Sequence, residues 1–173
     1  SLASGEYNVR RSRCEEGLAI LKKELNIQSF RDIKDVSAIV PCKSLMNEKV
    51  YNCCQYVIEE IARTQKAAIF LQQNNLAEFG KLMNATHKGL SKLYEVSCVE
   101  LDFLAELTSE NSDVIGSRMM GGGFGGCTIN IVMDTGVQSF IEKATNAYQQ
   151  KFDITLAAYI IETGDGTYKI IAD

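Results

Sequence analysis

The sequence has one histidine, His87, and one proline, Pro41, and no two of its cysteines form a Cys-x-x-Cys pair. With neither paired cysteines nor a second histidine, the usual zinc spacings are absent, and no metal ligands are expected within this chain. Basic charge is not in excess. The net charge is -4 and the isoelectric point lies near 5.1, which argues against a general nucleic-acid surface. No apolar stretch approaches the roughly 18 residues of a membrane-spanning helix, and the opening residues do not follow a signal-peptide pattern. A soluble chain with neither nucleic acid nor membrane as partner is therefore expected. No internal repeat, low-complexity tract or linker breaks it.

Six cysteines are present, at positions 14, 42, 53, 54, 98 and 127. A disulfide scaffold serves small secreted domains that lack an adequate core, and a chain of 173 residues does not need one. Most of these cysteines have apolar neighbours. They read as reduced core thiols, and with them a cytoplasmic location is expected. Hydrophobic residues make up 46% and charged residues 23%, ordinary for a globular protein. The length suits one domain over residues 1–173, burying roughly two-thirds of its unfolded surface. Ser1 is not a methionine, so a piece of a longer or processed polypeptide is expected.

Apolar spacing predicts a helix from about Glu6 to Leu25, a short segment at Ser29–Ser37, and a long helix from Asn47 to Asn74. Asn74 and Asn75 are read as its end, with another helix from Leu76 to about Gly89. Ser97-Cys-Val-Glu100 reads as a capping box ahead of Leu101, Leu104 and Leu107. After Asp113 the pattern changes. Val114–Met120 and Cys127–Met133 read as strands, and Val137, Phe140, Ile141, Ala144 and Tyr148 mark an amphipathic helix. Leu156–Glu162 and Tyr168–Ala172 are expected to form a terminal hairpin across Gly164-Asp165-Gly166. The expected fold class is α+β, with helices packed on a small, mostly antiparallel sheet. Glu15-Glu16 and Glu59-Glu60 read as solvated helix faces, and His87 as a capping or packing residue.

Between the two central strands, five of the six positions from Gly121 to Gly126 are glycine. Glycine costs roughly 0.5–1 kcal/mol relative to alanine within regular structure, so such a cluster implies left-handed backbone or close approach by a ligand or another segment. A P-loop requires Gly-Lys-Ser/Thr, whereas Gly126 is followed by Cys127 and Thr128. Gly121, Gly123 and Gly126 satisfy G-x-G-x-x-G, but a dinucleotide site needs a helix next, and Cys127-Thr-Ile-Asn-Ile-Val-Met reads as a strand. The protein-kinase loop lies between strands but needs a following lysine, an H-R-D loop and a D-F-G segment, all missing. Two readings remain from physics alone: amides lining an anionic site, or an architectural turn where two backbones touch.

Three stretches together resemble the galactokinases, a branch of the GHMP small-molecule kinases. Gly116-Ser-Arg-Met-Met-Gly-Gly-Gly-Phe-Gly-Gly-Cys127 is similar to their third signature motif. Ser4-Gly-Glu-Tyr7-Asn8-Val-Arg10-Arg11, with Cys14-Glu15 after it, resembles their S-x-Y-N-x-R-R-x-x-C-E segment. Met83-Asn-Ala-Thr-His87-Lys-Gly-Leu90 and Tyr94-Glu-Val-Ser97-Cys-Val-Glu100-Leu-Asp102 resemble the stretch after their middle helices. The matches follow the family's order over nearly the whole chain.

The resemblance implies a GHMP kinase C-terminal domain, ferredoxin-like, from enzymes that pass the γ-phosphate of MgATP to the C1 hydroxyl of galactose in the cytoplasm. The family's first two motifs and catalytic aspartate precede the matched region. The resemblance therefore implies no catalytic residue in this chain, an inactive fragment, and ATP and Mg2+ held mainly by a missing N-terminal lobe of the same polypeptide. Tyr7 matches the tyrosine that hydrogen-bonds the sugar; on residue type alone it reads as a tyrosine packed at a helix start. Gly121, Gly122, Gly123, Phe124, Gly125 and Gly126 match the loop that closes on the phosphate side of the cleft. Arg118 precedes that loop and reads equally as a phosphate contact or a structural ion pair. Met120 departs from the family's usual threonine, which bears on nucleotide affinity rather than fold. Two rivals stand beside this reading: a kinase for a related sugar such as N-acetylgalactosamine, and a sugar sensor built on a catalytically lost scaffold.

Overall fold

The structure is a computed structural model that describes residues 2–164 and residue 166. The described residues form five α-helices and a two-stranded antiparallel sheet, with the third and fourth helices packed on the sheet. The helices are α1 (Leu2–Glu24), α2 (Glu48–Gln72), α3 (Leu76–Lys92), α4 (Val99–Ser109) and α5 (Val137–Phe152). The strands are β1 (Val114–Met120) and β2 (Cys127–Val132), and they bracket the glycine loop. This is the α+β arrangement expected, helices packed on a small antiparallel sheet.

Local chemistry sets most boundaries. The Asn47 side chain accepts from Val50 N–H at 2.9 Å and starts α2. Asn74 turns left-handed at φ 52°, and Asn75 then accepts from Glu78 N–H at 3.2 Å to start α3. Asparagine suits both positions because its short amide tolerates left-handed backbone and caps open N–H groups. The capping box expected at Ser97 does not form: α4 begins at Val99 behind Cys98, and no side chain caps it. The Ser97 hydroxyl is buried and makes no cap bond. The chain between α1 and α2 holds more structure than expected, including a 3-10 helix at Val36–Leu45 that contains Pro41. Its three-residue turn buries Ile39 and Cys42 on one side.

Leu156–Glu162 forms no strand, contrary to expectation. Tyr168–Ala172, the other arm of the expected hairpin, lies outside the described residues. A strand exists through ladder bonds to a neighbour, so β-rich composition alone does not make one.

The core has two parts. Leu21, Ile33, Ile39, Val50, Tyr51 and Ile58 fill the space between α1, α2 and the 3-10 segment. Val96, Leu101 and Met119 form a second cluster, with Leu90, Tyr94 and Phe124 packed against it. Cys42, Cys53 and Cys54 are buried free thiols, Cys14 and Cys98 are half-buried, and Cys127 stands exposed at the start of β2. Glu60 is not a solvated carboxylate. It accepts from Thr86 Oγ1 at 2.9 Å and from Arg63 Nε at 2.8 Å, joining α2 to α3.

Helix α3 lies along the free edge of β1. A Cβ built on Gly80 would stand 2.0 Å from the Ile115 carbonyl oxygen, so the two backbones touch there. One turn further, Asn84 Oδ1 accepts from Ser117 N–H at 2.8 Å, and His87 Nδ1 accepts from Met119 N–H at 3.1 Å. The 80, 84, 87 spacing keeps all three on one helix face. The helix thus satisfies strand N–H groups that a neighbouring strand would otherwise take. A register shift between Val114 and Gly116 sits at the same close approach.

Candidate functional site

The glycine loop closes the β1–β2 hairpin, whose last paired residues are Met120 and Cys127. Gly121, Gly123, Gly125 and Gly126 have φ of +79°, +86°, +130° and +96°, and Phe124 has φ +58°. Side chains at the glycine positions would be strained whatever the space around them. Gly123 meets a second demand, since a Cβ there would stand 2.0 Å from the Val96 carbonyl oxygen and 3.0 Å from Met119 Cε. Phe124 N–H donates to the same carbonyl at 2.8 Å. Gly121, Gly122 and Gly125 instead have no atom within 4 Å of a built Cβ. One part of the loop is braced against Val96, and the rest leaves bare backbone open to a visiting group.

Arg10 connects α1 to this loop. It is 6% exposed, and its guanidinium lies 5.3 Å from the centre of the Phe124 ring. It donates from Nε to the Tyr94 carbonyl at 3.1 Å and from Nη2 to the Glu95 carbonyl at 2.5 Å, and it also pairs with Glu6. The planar fork suits this task because several donors leave one rigid plane that also stacks on an aromatic face. Glu95, left-handed at φ 55°, is held by Arg13 at 3.1 Å and Lys49 at 3.4 Å. Partial burial would raise its pKa, but those two cations outweigh it and keep the carboxyl below the usual range. The 94–96 turn is therefore gripped from α1 and in turn supports Phe124.

Tyr7 lies one turn before Arg10 on the same helix and is 64% exposed, so it is not packed into the core. Arg118 is half-buried and donates to the Met119 carbonyl at 3.4 Å. Among the described residues no carboxylate lies within ion-pair range of it, which leaves the structural ion pair unsupported. Met120 is 46% exposed where the ladder ends, rather than packed beneath the loop. Phe124 is brought against α1 through Arg10, while Arg118 and Met120 lie at the strand end. Reading residue types missed Arg10, although it stands inside one of the quoted motifs. Its signal was an arginine three positions after Tyr7, on the helix side that turns inward.

His87 is a structural residue. Its Nδ1 is occupied by Met119 N–H, so the neutral ring carries its proton on Nε2, which stands 3.2 Å from Asp102 Oδ1 but out of line for a hydrogen bond. Burial pushes the His87 pKa down, and the nearby Asp102 carboxylate only partly offsets this. Asp102 lies below its ordinary value: burial acts to raise it, but the Ser97 and Ser91 hydroxyls, His87 and Lys92 outweigh that.

The chain belongs to the GHMP kinase family, and residues 66–150 match the family GHMP kinases C terminal. Within it, the similarity is to galactokinases. The chain is 39% identical over 170 residues to the galactokinase of Clostridium beijerinckii, covering 98% of this chain and 43% of that protein. It is 38% identical over 170 residues to the galactokinase of Bacillus subtilis, covering 98% of this chain and 44% of that protein. The crystal structure of Lactococcus lactis galactokinase complexed with galactose superposes with a TM-score of 0.81 at 32% identity, over 87% of this chain and 39% of that one. The chain thus spans less than half the length of the curated relatives it matches. Among the described residues no helix is long and apolar enough to cross a membrane.

Proposed function

We propose that this chain is the C-terminal part of a galactokinase, which transfers the γ-phosphoryl group of MgATP to the C1 hydroxyl of galactose. The observation that carries the reading is the Arg10–Phe124 clasp, which joins the segment bearing Tyr7 to the glycine loop although the two are far apart in the sequence. In this reading the sugar and phosphate sides of one cleft wall come from this chain, and the remainder of the polypeptide supplies the facing wall.

MgATP supplies the phosphoryl group. The sugar oxygen forms its bond to the γ-phosphorus as the bond to the β–γ bridging oxygen of ADP breaks, and the hydroxyl proton passes to an aspartate outside this chain. Such a transfer depends mainly on positioning and charge stabilisation. The exposed phenol of Tyr7 holds a sugar hydroxyl, as donor or acceptor. The open backbone at Gly121, Gly122 and Gly125 lets phosphate approach where a Cβ would intervene, and the half-buried Arg118 supplies positive charge beside it. Among the described residues no three His, Cys, Asp or Glu side chains form a metal-binding group.

The test is ADP release by the whole parent protein with MgATP and galactose, N-acetylgalactosamine, glucose or mevalonate. Turnover confined to galactose is expected. Tyr7→Phe is expected to raise KM for galactose about fivefold, the worth of one hydrogen bond of about 1 kcal/mol. Turnover only with N-acetylgalactosamine would transfer the reading to that sugar. Galactose binding without turnover would make the protein a sensor, a second reading favoured by exposed Met120 at the family's threonine position.

A further inference from the structure

Arg10 stands in the segment that bears Tyr7. Apart from Glu6, however, every partner it has among the described residues lies in the 94–96 turn or the glycine loop. The Tyr94 and Glu95 carbonyls take its Nε and Nη2, and Glu6 takes its Nη1. At 6% exposure the guanidinium has no edge left to meet a ligand, so it acts on other residues and not on substrate.

What it holds is strained. Glu95 is left-handed at φ 55°, a state that a residue with a side chain keeps only where its surroundings enforce it. The two carbonyls gripped by Arg10 belong to the peptide units on either side of the Glu95 Cα. The next carbonyl, that of Val96, accepts from Phe124 N–H at 2.8 Å and is the atom that Gly123 lies against. The flat face of the same guanidinium lies 5.3 Å from the centre of the Phe124 ring. Arg10 therefore reaches Gly123 and Phe124 by two routes, through the turn and through the ring. A lysine would keep the charge and the pair with Glu6. Its single ammonium group could neither span both carbonyls nor lie flat on a ring.

Tyr7 depends on neither route. Its side chain is exposed, and among the described residues it shares no hydrogen bond with Arg10. We propose that Arg10 is a positioning residue for the nucleotide: it holds the glycine loop in the shape that meets phosphate, while the sugar contact one turn away is independent of it. The inference rests on reading the loop as the phosphate side of a galactokinase cleft.

The test is calorimetric, on the whole parent protein, with the non-hydrolysable imido analogue of MgATP and, separately, with galactose. Arg10→Lys is expected to weaken nucleotide binding at least about fivefold, through loss of the fork and the stacked face, and to leave galactose affinity within about twofold. Phe124→Leu removes the ring but none of the backbone bonds of Arg10. It is expected to give the same split, and it decides should Arg10→Lys fail to fold. The double variant is expected to bind nucleotide no more than about twofold worse than Arg10→Lys alone, because both changes cut one connection. Equal loss of both ligands, loss of galactose alone, or an unchanged nucleotide affinity would overturn the proposal. A wild-type parent that binds both ligands but releases no ADP would remove the galactokinase reading and leave the split to decide the role of Arg10. A wild type that binds no nucleotide would overturn both.

Discussion

Gly122 and Gly123 are adjacent and chemically identical, yet the fold asks different things of them. Gly123 combines left-handed backbone with a 2.0 Å approach of its built Cβ to the Val96 carbonyl oxygen. Alanine there meets both strain and clash, and Gly123→Ala is expected to cost at least about 2 kcal/mol in chemical denaturation. Gly122 has no positive φ and nothing within 4 Å of a built Cβ. Gly122→Ala is expected to be neutral or to stabilise by about 0.5 kcal/mol, because it reduces only the freedom of the unfolded chain. Equal effects of the two substitutions would mean that the loop is not braced on Val96. The composition of the loop showed that special backbone was required, but not which glycine bears the contact.

Helix α3 takes the place of a strand beside β1. Its Asn84 carries one of the two side-chain bonds to the strand edge. Asn84→Ala would leave the Ser117 N–H without that acceptor, at an expected cost of about 1–2 kcal/mol. Hydrogen exchange should locate the effect: the Ser117 amide should exchange faster while α1–α2 amides keep their protection. Uniform acceleration across the molecule would instead indicate global loosening. Both strands and all five helices were legible from periodicity and turn residues, with β1 at its observed bounds. The contact of α3 with the strand edge was not legible, because hydrophobic patterning marks an apolar face and not the polar atoms that meet a strand. The Leu156–Glu162 segment shows the converse, since its β-rich composition produced no strand.

For the whole molecule, pH provides a clean test because His87 is the only histidine. Burial lowers its pKa in the fold, so the unfolded chain binds the proton first. Stability should therefore be level between about pH 7 and 8 and fall as pH drops below about 6.5, with a slope of at most about 1.4 kcal/mol per pH unit. Above about pH 8 the buried thiols lower it again, Cys42 and Cys54 because burial raises their pKa, and Cys53 because the neighbouring Cys14 thiol and burial raise its own. His87→Gln, which keeps an acceptor for Met119 N–H, should flatten the curve between pH 7 and 5. A slope unchanged in the variant would place the titration on other groups. Because the chain covers 43% of one galactokinase relative and 44% of another, turnover is a property proposed for the parent polypeptide.

By itself the sequence determined what near neighbours decide: helix spans, asparagine caps, the two strands, and a loop that only glycine-rich backbone can follow. The three quoted stretches also carried the family resemblance. Tertiary structure alone decided that Arg10 would reach Tyr94, Glu95 and Phe124, that α3 would satisfy the edge of β1, and that His87 would stand between Met119 and Asp102. The division is physical. Backbone propensity acts over a few residues and leaves its mark in composition and period. The partner of a buried polar atom depends on where distant segments come to rest once the core has packed.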